Sequence, residues 1–403
     1  MMKSFLRATV AASLVTAGAA GAWAGEIKVG SVAGVTGPIA ELVVPILAGR
    51  NLAVKHVNAQ GGLLGGDTMK MALVDSQCDP KAGVDAGSKV VNVEQVVAIV
   101  GASCSGATNG MVQSVTIPAG VVALSDSATA PSISELKDND LVFRVAPSDA
   151  YQGAALAKLA IDSGFKKLAV TYSNDDYNAG IAEVFAKTYQ EMGGTLAGNQ
   201  MHEPNKASYR SELATLAGGG AEGLAIFAYY GGSGITIIRN SLENDLFGKF
   251  LAADGMFDKS VIEQIGADAL RGNIFITQSA SDYDDASYKA FADAFTEAGY
   301  DPIAPYAAHG YDAAFLIALA IEKAGAADRG KISAALRAVA NPPGTVIRPG
   351  EWAKAKAVLA SGGDVNYEGA SGNVDFDGNG DVGGIYSVNT VGDDGKWSMA
   401  LIQ

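Results

Sequence analysis

The chain has 403 residues and a formal net charge of −14 at pH 7. An acidic protein of this kind repels nucleic acid and anionic lipid surfaces, and its few basic stretches, such as Lys166–Lys167, are isolated. The length exceeds what one hydrophobic core normally organises, so two domains are expected.

Lys3 and Arg7 precede the small, apolar run ATVAASLVTAGAAGA, and Ala22–Ala24 (AWA) fits a small-x-small cleavage site. These are the parts of a secretory signal peptide, predicted over residues 1–24. The run is shorter than the ~20 residues a membrane-spanning helix requires, and no later segment reads as an anchor. No cysteine adjoins the cleavage site, which argues against lipidation.

From Ile27 to about Ala280 the pattern alternates regularly. IKVGSVAGV reads as a buried strand and LAGRNLAVKHVNAQGG as a helix stopped by Gly61–Gly62. MKMALVDS is a strand, and DPKAGVDAGSKVVNVE is a helix with Pro80 in its first turn. VVAIVGA and GVVALSD are strands flanking a helix that starts near Ser105. Further strands are KLAVTYSN, TLAGNQMHE, GLAIFAYY, KFLAADG and GNIFITQSA, with helices between them. Apolar strands without in–out alternation predict parallel sheets covered on both faces. There are too many such units for one sheet, and VAPSDAYQG, around residues 145–153, is a plausible crossing between two lobes. SYKAFADAFTEAGY and YDAAFLIALAIEKAG read as helices with core-facing sides.

After NPPGTVIRPGE the texture turns to short strands and turns. Asp375, Asp377, Asn379 and Gly380 match the start of a calcium-binding loop, but the twelfth position, where a bidentate Glu belongs, is Tyr386. Aspartate and glycine are favoured in turns, and the hairpin reading is preferred. No metal or other cofactor is expected.

The two cysteines, Cys78 and Cys104, suggest one disulfide in an exported protein. A reactive Cys104 is the alternative, although an oxidising compartment works against a free thiol. Catalysis is otherwise unsupported. No G-x-S-x-G elbow, P-loop, dinucleotide fingerprint or zinc spacing is present, and the three histidines, His56, His202 and His309, adjoin no nucleophile motif. The pairs Asp175–Asp176 and Asp284–Asp285 read as solvated loop ends. The Asp175–Asp176 loop leaves a secreted hydrolase as an alternative.

Polar segments follow several strands, where open α/β sheets bind ligands. A helix starting at Ser105 offers backbone N–H groups and a hydroxyl to a carboxylate. Ser127 and Thr129 add donors from the next loop. Asp254, at a strand end in the other lobe, suits an ammonium group, and Tyr177 and Tyr306 suit walls. Together these residues fit a small zwitterion.

In this order, IKVGSVAGVTGPIA, HVNAQGGLLGG, DSQCDPKAG, VVAIVGASCSGAT, ALSDSATAP and IFAYYGG resemble the periplasmic leucine/isoleucine/valine-binding proteins, the type I solute-binding components of ABC transporters. The resemblance covers nearly the whole chain after residue 24. It implies an α/β fold of two doubly wound parallel-sheet lobes joined by three crossovers. The first lobe would comprise 25–146 and 280–345, the second 147–279 and 346–403. It also implies a Cys78–Cys104 disulfide, a periplasmic location, a monomer, and a membrane permease as partner. Ser105 matches the serine that binds the ligand carboxylate, with Ser103 and Cys104 as neighbouring cleft positions. Thr129 matches a threonine holding carboxylate and ammonium, and Ser127 a backbone contact. Tyr177 matches a cleft tyrosine, Asp254 a glutamate that binds the ammonium, and Tyr306 an aromatic of the side-chain pocket. Three departures bear on the ligand's side chain. Leu42 replaces a tyrosine of leucine-binding relatives, the segment after YYGG lacks a tyrosine near Ser233, and Asp254 is one methylene shorter than Glu. The implied ligand is an amino acid, branched-chain by default, with amides, ureas and aromatic acids as alternatives and a sensory role beside transport.

Overall fold

A computed structural model describes residues 25–402; the predicted signal peptide lies outside the described residues. The first sheet has five parallel strands in the order β2-β1-β3-β4-β5, with β1 Glu26–Ala33, β2 Thr68–Asp75, β3 Ile99–Val100, β4 Ala123–Ser125 and β5 Val142–Arg144. The second is built from β6 Lys167–Ser173, β7 Thr195–His202, β8 Gly223–Phe227, β9 Phe250–Ala252 and β10 Ile274–Ala280. A short parallel pair, β11 Thr345–Ile347 and β12 Val365–Tyr367, stands apart. β13 Ile385–Val391 and β14 Trp397–Ile402 then extend the second sheet antiparallel to β10, giving the order β14-β13-β10-β9-β8-β6-β7. Every residue of β8 and β9 is buried, as expected for parallel strands covered on both faces.

The helices begin and end where local chemistry dictates. Asp79 caps the helix Pro80–Ser88, its carboxylate accepting from the Ala82 N–H at 2.9 Å. The helix Ala40–Ala59 stops before Gly61 and Gly62, both at positive φ. Within that helix a Cβ on Gly49 would collide with the Ala307 carbonyl, so glycine lets it lie directly against the helix Ala307–Ala324. This contact anchors the core of the first lobe.

The chain passes between lobes three times: from β5 to β6, from β10 to the helix Ala286–Glu297, and from β12 to β13. The last crossing corrects the sequence-based division. Residues 346–403 were expected in the second lobe, yet only β13 and β14 join its sheet. Ile347, Trp352, Val365, Tyr367 and Phe376 pack into the first lobe with Tyr311 and Phe315. Trp352 Nε1 donates to the Gly62 carbonyl at 3.1 Å, and Lys356 Nζ donates to the Gly61 and Gly62 carbonyls at 3.0 and 2.9 Å. An apolar face is visible in sequence; which of two cores buries it is not. The helices Arg329–Ala340 and Trp352–Ala360 were also not foreseen.

The Asp375–Gly380 stretch forms a turn on this third crossing. Asp377 Oδ1 accepts from the N–H groups of Asn379 and Asp381 at 2.8 and 3.1 Å. Asp381 in turn pairs with the buried Arg144 at 2.6 Å, tying the crossing to β5. Among the described residues no cluster of His, Cys, Asp and Glu could hold a metal ion, and no helix is long and apolar enough to cross a membrane.

Candidate functional site: the interlobe cleft

The carboxyl ends of the strands of both sheets face one cleft. Its walls are Ile39, Leu42, Ser103–Ser105 and Ser127 from one lobe, and Tyr177, Tyr229, Asp254 and Gly255 from the other, with Tyr306 between them. The space among these residues is narrow and partly open to solvent. The lobes touch beside it: Asn109 Nδ2 donates to Asp176 Oδ2 at 2.8 Å, and Tyr306 Oη donates to Asp254 Oδ2 at 2.9 Å.

On the first lobe, the loop after β3 turns sharply into the helical run that starts at Ser105. Gly101 sits at φ +120°, and a Cβ there would collide with the Val32 carbonyl oxygen, so only glycine permits the turn. Cys104 is disulfide-bonded to Cys78, with Cα atoms 5.4 Å apart. Both the thiol and its reactivity are therefore removed from the site, while Cys104 stays in the wall.

Ser105 is fully enclosed, and its Oγ accepts from the backbone N–H groups of Thr129 and Ala130, each at 3.1 Å. With both lone pairs engaged, its remaining capacity is a single O–H donor. That suits an anionic oxygen and disfavours nucleophilic use. Ser127 Oγ donates to the Ser103 carbonyl at 3.0 Å. Thr129 differs from expectation: it does not line the cleft. Its N–H serves Ser105, its hydroxyl donates to Asp149 Oδ2 at 2.8 Å, and its carbonyl accepts from the Asp149 N–H at 2.8 Å. It positions Ser105 rather than facing the ligand space.

A buried cation stands behind this wall. Arg50, from the helix Ala40–Ala59, donates through Nε to Asp126 Oδ2 at 2.7 Å and through Nη2 to Ser103 Oγ at 3.0 Å. Arg50 and Asp126 are both sealed from solvent and neutralise each other. The first-lobe wall therefore presents hydroxyls and backbone N–H groups without net charge.

The second-lobe wall is different. Asp254 opens a short helical turn at the end of β9. The next helix is capped by Asp258, whose carboxylate accepts from the Ser260 N–H at 2.7 Å, which frees Asp254 for the cleft. Asp254 Oδ1 accepts from Gln152 Nε2 at 2.7 Å and Tyr177 Oη at 3.0 Å, and Oδ2 accepts from Tyr306. All these donors are neutral, and among the described residues it forms no ion pair. Burial raises its carboxyl above the ordinary range, against the pull of those hydrogen bonds. Burial, then the Asp254 charge, raises Asp149 well above its usual value, and Asp149 Oδ1 has no protein partner. Burial and Asp254 likewise raise the phenols of Tyr177 and Tyr306, so both remain proton donors. Tyr229 stacks on Tyr177, with centroids 5.3 Å apart and planes 24° from parallel.

Every candidate residue except Thr129 thus lines the cleft. Gln152, Arg50, Asp126, Asp149 and Tyr229 were missed. Gln152 lies in the predicted crossing segment VAPSDAYQG and Tyr229 in the strand GLAIFAYY, but only pairing across the cleft gives either a role. The alternative catalytic groups are occupied elsewhere. Asp175 caps the helix Asp176–Glu191, Asp176 accepts from Asn109, and Asp285 caps Ala286–Glu297. His202 does meet a serine, its Nε2 lying 2.8 Å from Ser233 Oγ with Nδ1 2.8 Å from Thr171 Oγ1. The pair is buried, and desolvation lowers the imidazole to about 4, so it serves core packing.

Two α/β lobes flanking a polar cleft are the architecture of a solute receptor. The profile of the family described as periplasmic binding protein matches residues 26–359, and the chain belongs to that family. It is a periplasmic solute-binding protein of the type I fold, of the class that serves ABC transporters. A leucine-, isoleucine-, valine-, threonine- and alanine-binding protein of Pseudomonas aeruginosa is 31% identical over 320 residues, covering 78% of this chain and 83% of its own. A chemotactic signal transduction system substrate-binding protein of Halobacterium salinarum is 25% identical over 372 residues, covering 87% and 83%. Among solved structures, a leucine-binding protein of Thermotoga maritima has the same fold with a TM-score of 0.79 at 24% identity, covering 94% of this chain and 99% of its own. A solute-binding protein from R. palustris in complex with benzoate follows at 0.76 and 21%, covering 94% and 96%.

Proposed function

We propose that this receptor, as a monomer, binds a small zwitterionic amino acid, branched-chain by default, between its lobes and delivers it to a membrane permease. The observation that carries this reading is Asp254: a buried carboxylate held only by neutral donors, opposite a wall of uncharged hydroxyl and N–H donors. An α-ammonium group beside Asp254 supplies the missing positive charge, and the α-carboxylate takes the Ser105 hydroxyl. Closure that buries Asp254 against a ligand without a cation is costly, so aliphatic and aromatic acids lacking an amine bind poorly. Ligand affinity for the closed form drives the hinge. The kinship to an amino-acid receptor of Pseudomonas aeruginosa supports the same ligand class.

The test is a thermal-shift titration of ligand-stripped protein with amino acids, amides, ureas and aromatic acids. Stabilisation by amino acids alone is the expected outcome. Stabilisation by amine-free acids, with no response to any amino acid, overturns it. A sensory role is a second reading, favoured by the similarity to the chemotactic receptor of Halobacterium salinarum. Uptake of the bound amino acid by cells lacking this protein separates the two: lost uptake supports transport, and intact uptake with lost taxis supports sensing.

A further inference from the structure

Tyr306 is shared by two cavities. One face of its surroundings is the cleft; the other is a second, narrow chamber at the second crossing, between β10 and the start of the helix Ala307–Ala324. Its polar lining includes Gln278, Ser279, Ser281, Tyr283, Tyr288 and His309. Three of these present buried polar atoms with no protein partner among the described residues: Gln278 Oε1, Tyr288 Oη and His309 Nδ1. All three side chains are more than nine-tenths buried, Gln278 at 2%, Tyr288 at 6% and His309 at 3% exposure. Buried polar atoms in native proteins are nearly always paired, so three orphans on one chamber next to a ligand site mark a place for a hydrogen-bonding group.

The chamber's chemistry selects that group. Desolvation lowers the His309 imidazole to about 3, so the ring is neutral, and its Nε2 lies 3.2 Å from Ser279 Oγ. Burial raises the Tyr288 phenol, so it keeps its proton. No Lys, Arg, Asp or Glu side chain lines the chamber. A charged group placed there would be stripped of water without a counter-ion, whereas an uncharged donor–acceptor group meets an amide, a phenol and an imidazole. Pro302, Ile303 and Pro305 supply apolar surface for the stem behind it.

We propose that the chamber behind Tyr306 is the distal compartment of the ligand site and takes an uncharged hydrogen-bonding end, such as a carboxamide, of an amino-acid ligand whose α-groups sit at Ser105 and Asp254. This rests on the amino-acid reading above and sharpens it, because a purely aliphatic side chain would leave the three orphans unpaired.

The test compares L-glutamine, its near-isostere L-glutamate, and L-leucine by calorimetry on the wild type, Tyr288→Phe and Gln278→Leu. Expected is at least about hundredfold tighter binding of glutamine than glutamate, the cost of an unpaired buried charge. Each variant should weaken glutamine by about threefold to tenfold, one hydrogen bond, and bind leucine at least as tightly as the wild type does, because it removes an atom that leucine leaves unpaired. Retained leucine binding also certifies the fold of each variant. Equal affinities for glutamine and glutamate overturn the compartment, as do variants that shift glutamine and leucine alike or shift neither. Binding of leucine with that result sinks the chamber alone, whereas no binding of any of the three sinks the amino-acid reading and the chamber with it.

Discussion

The two walls of the cleft use opposite electrostatic strategies. On the first lobe the charges are in pairs: Arg50 and Asp126 cancel each other behind Ser103, and what faces the cleft is a hydroxyl and amide surface. On the second lobe the charge is left uncompensated, with Asp254 held by an amide and two phenols. A neutral donor wall can accept a carboxylate with little reorganisation. An unpaired buried anion costs stability until a cation arrives, so the second wall is the one that makes closure depend on ligand. The first wall is therefore a stability element, and under the proposed function the second is the binding element that destabilises the empty protein.

Breaking the first wall should cost the most stability. Arg50→Met strands a buried Asp126, and urea unfolding should show a loss of about 3–5 kcal/mol, largely recovered by adding Asp126→Leu. Failure of the double variant to recover would mean that Arg50 acts through its other bonds to Ser31 and Ser103. Next, replacing Cys78 and Cys104 by alanine opens a loop spanning 26 positions and should remove roughly 3–4 kcal/mol, read by the same unfolding curve.

The second wall should respond in the opposite sense. Asp254→Asn should weaken binding of an ammonium-bearing ligand by about 2–5 kcal/mol in calorimetry while raising the melting temperature of the ligand-free protein. Unchanged affinity would remove Asp254 from the site. The same contrast has a pH signature. Asp254 and Asp149 both titrate above the usual 3.8 in the folded state. The folded protein then holds more protons than the unfolded chain in the window above that value. Their contribution to stability is greatest below the unfolded pKa and falls as pH rises through the folded one. Melting curves of the ligand-free wild type should lose stability relative to Asp254→Asn as pH rises through that window, and an ammonium ligand should reduce the gap. A gap that is flat with pH would refute the raised carboxyl. The smallest effect is expected at Ser105→Ala. Carboxylate binding should weaken by ~1–2 kcal/mol, with a parallel stability loss from the two N–H groups of Thr129 and Ala130 left unpaired.

Much of this was legible in the residues. Alternation of apolar strands and amphipathic helices predicts the parallel strands of both sheets, but not the antiparallel pair β13–β14 that extends the second. The helix start near Ser105, the single disulfide and the cleft positions of Ser103, Ser127, Tyr177, Asp254 and Tyr306 follow from strand ends and from the family resemblance. Thr129 was placed beside Ser105, but its hydroxyl's partner in the structure was not visible in sequence, because that depends on which of several neighbours reaches it. Here that is Asp149, 20 positions away. The lobe assignment of residues 346–382 failed for a related reason. Their apolar faces would satisfy either core.

The sequence alone determined what depends on short-range periodicity and local chemistry: the βα repeat, the glycine stop at Gly61–Gly62, the helix start near Ser105 and the supply of uncharged donors at one strand end. Only the tertiary structure decided which charges were paired. Arg50 lies 76 positions from Asp126, and Gln152 lies 102 from Asp254. Whether a buried carboxylate meets a guanidinium or an amide is set by packing between distant elements. That difference leaves the charges behind one wall of the cleft paired and the carboxylate of the other without a counter-ion.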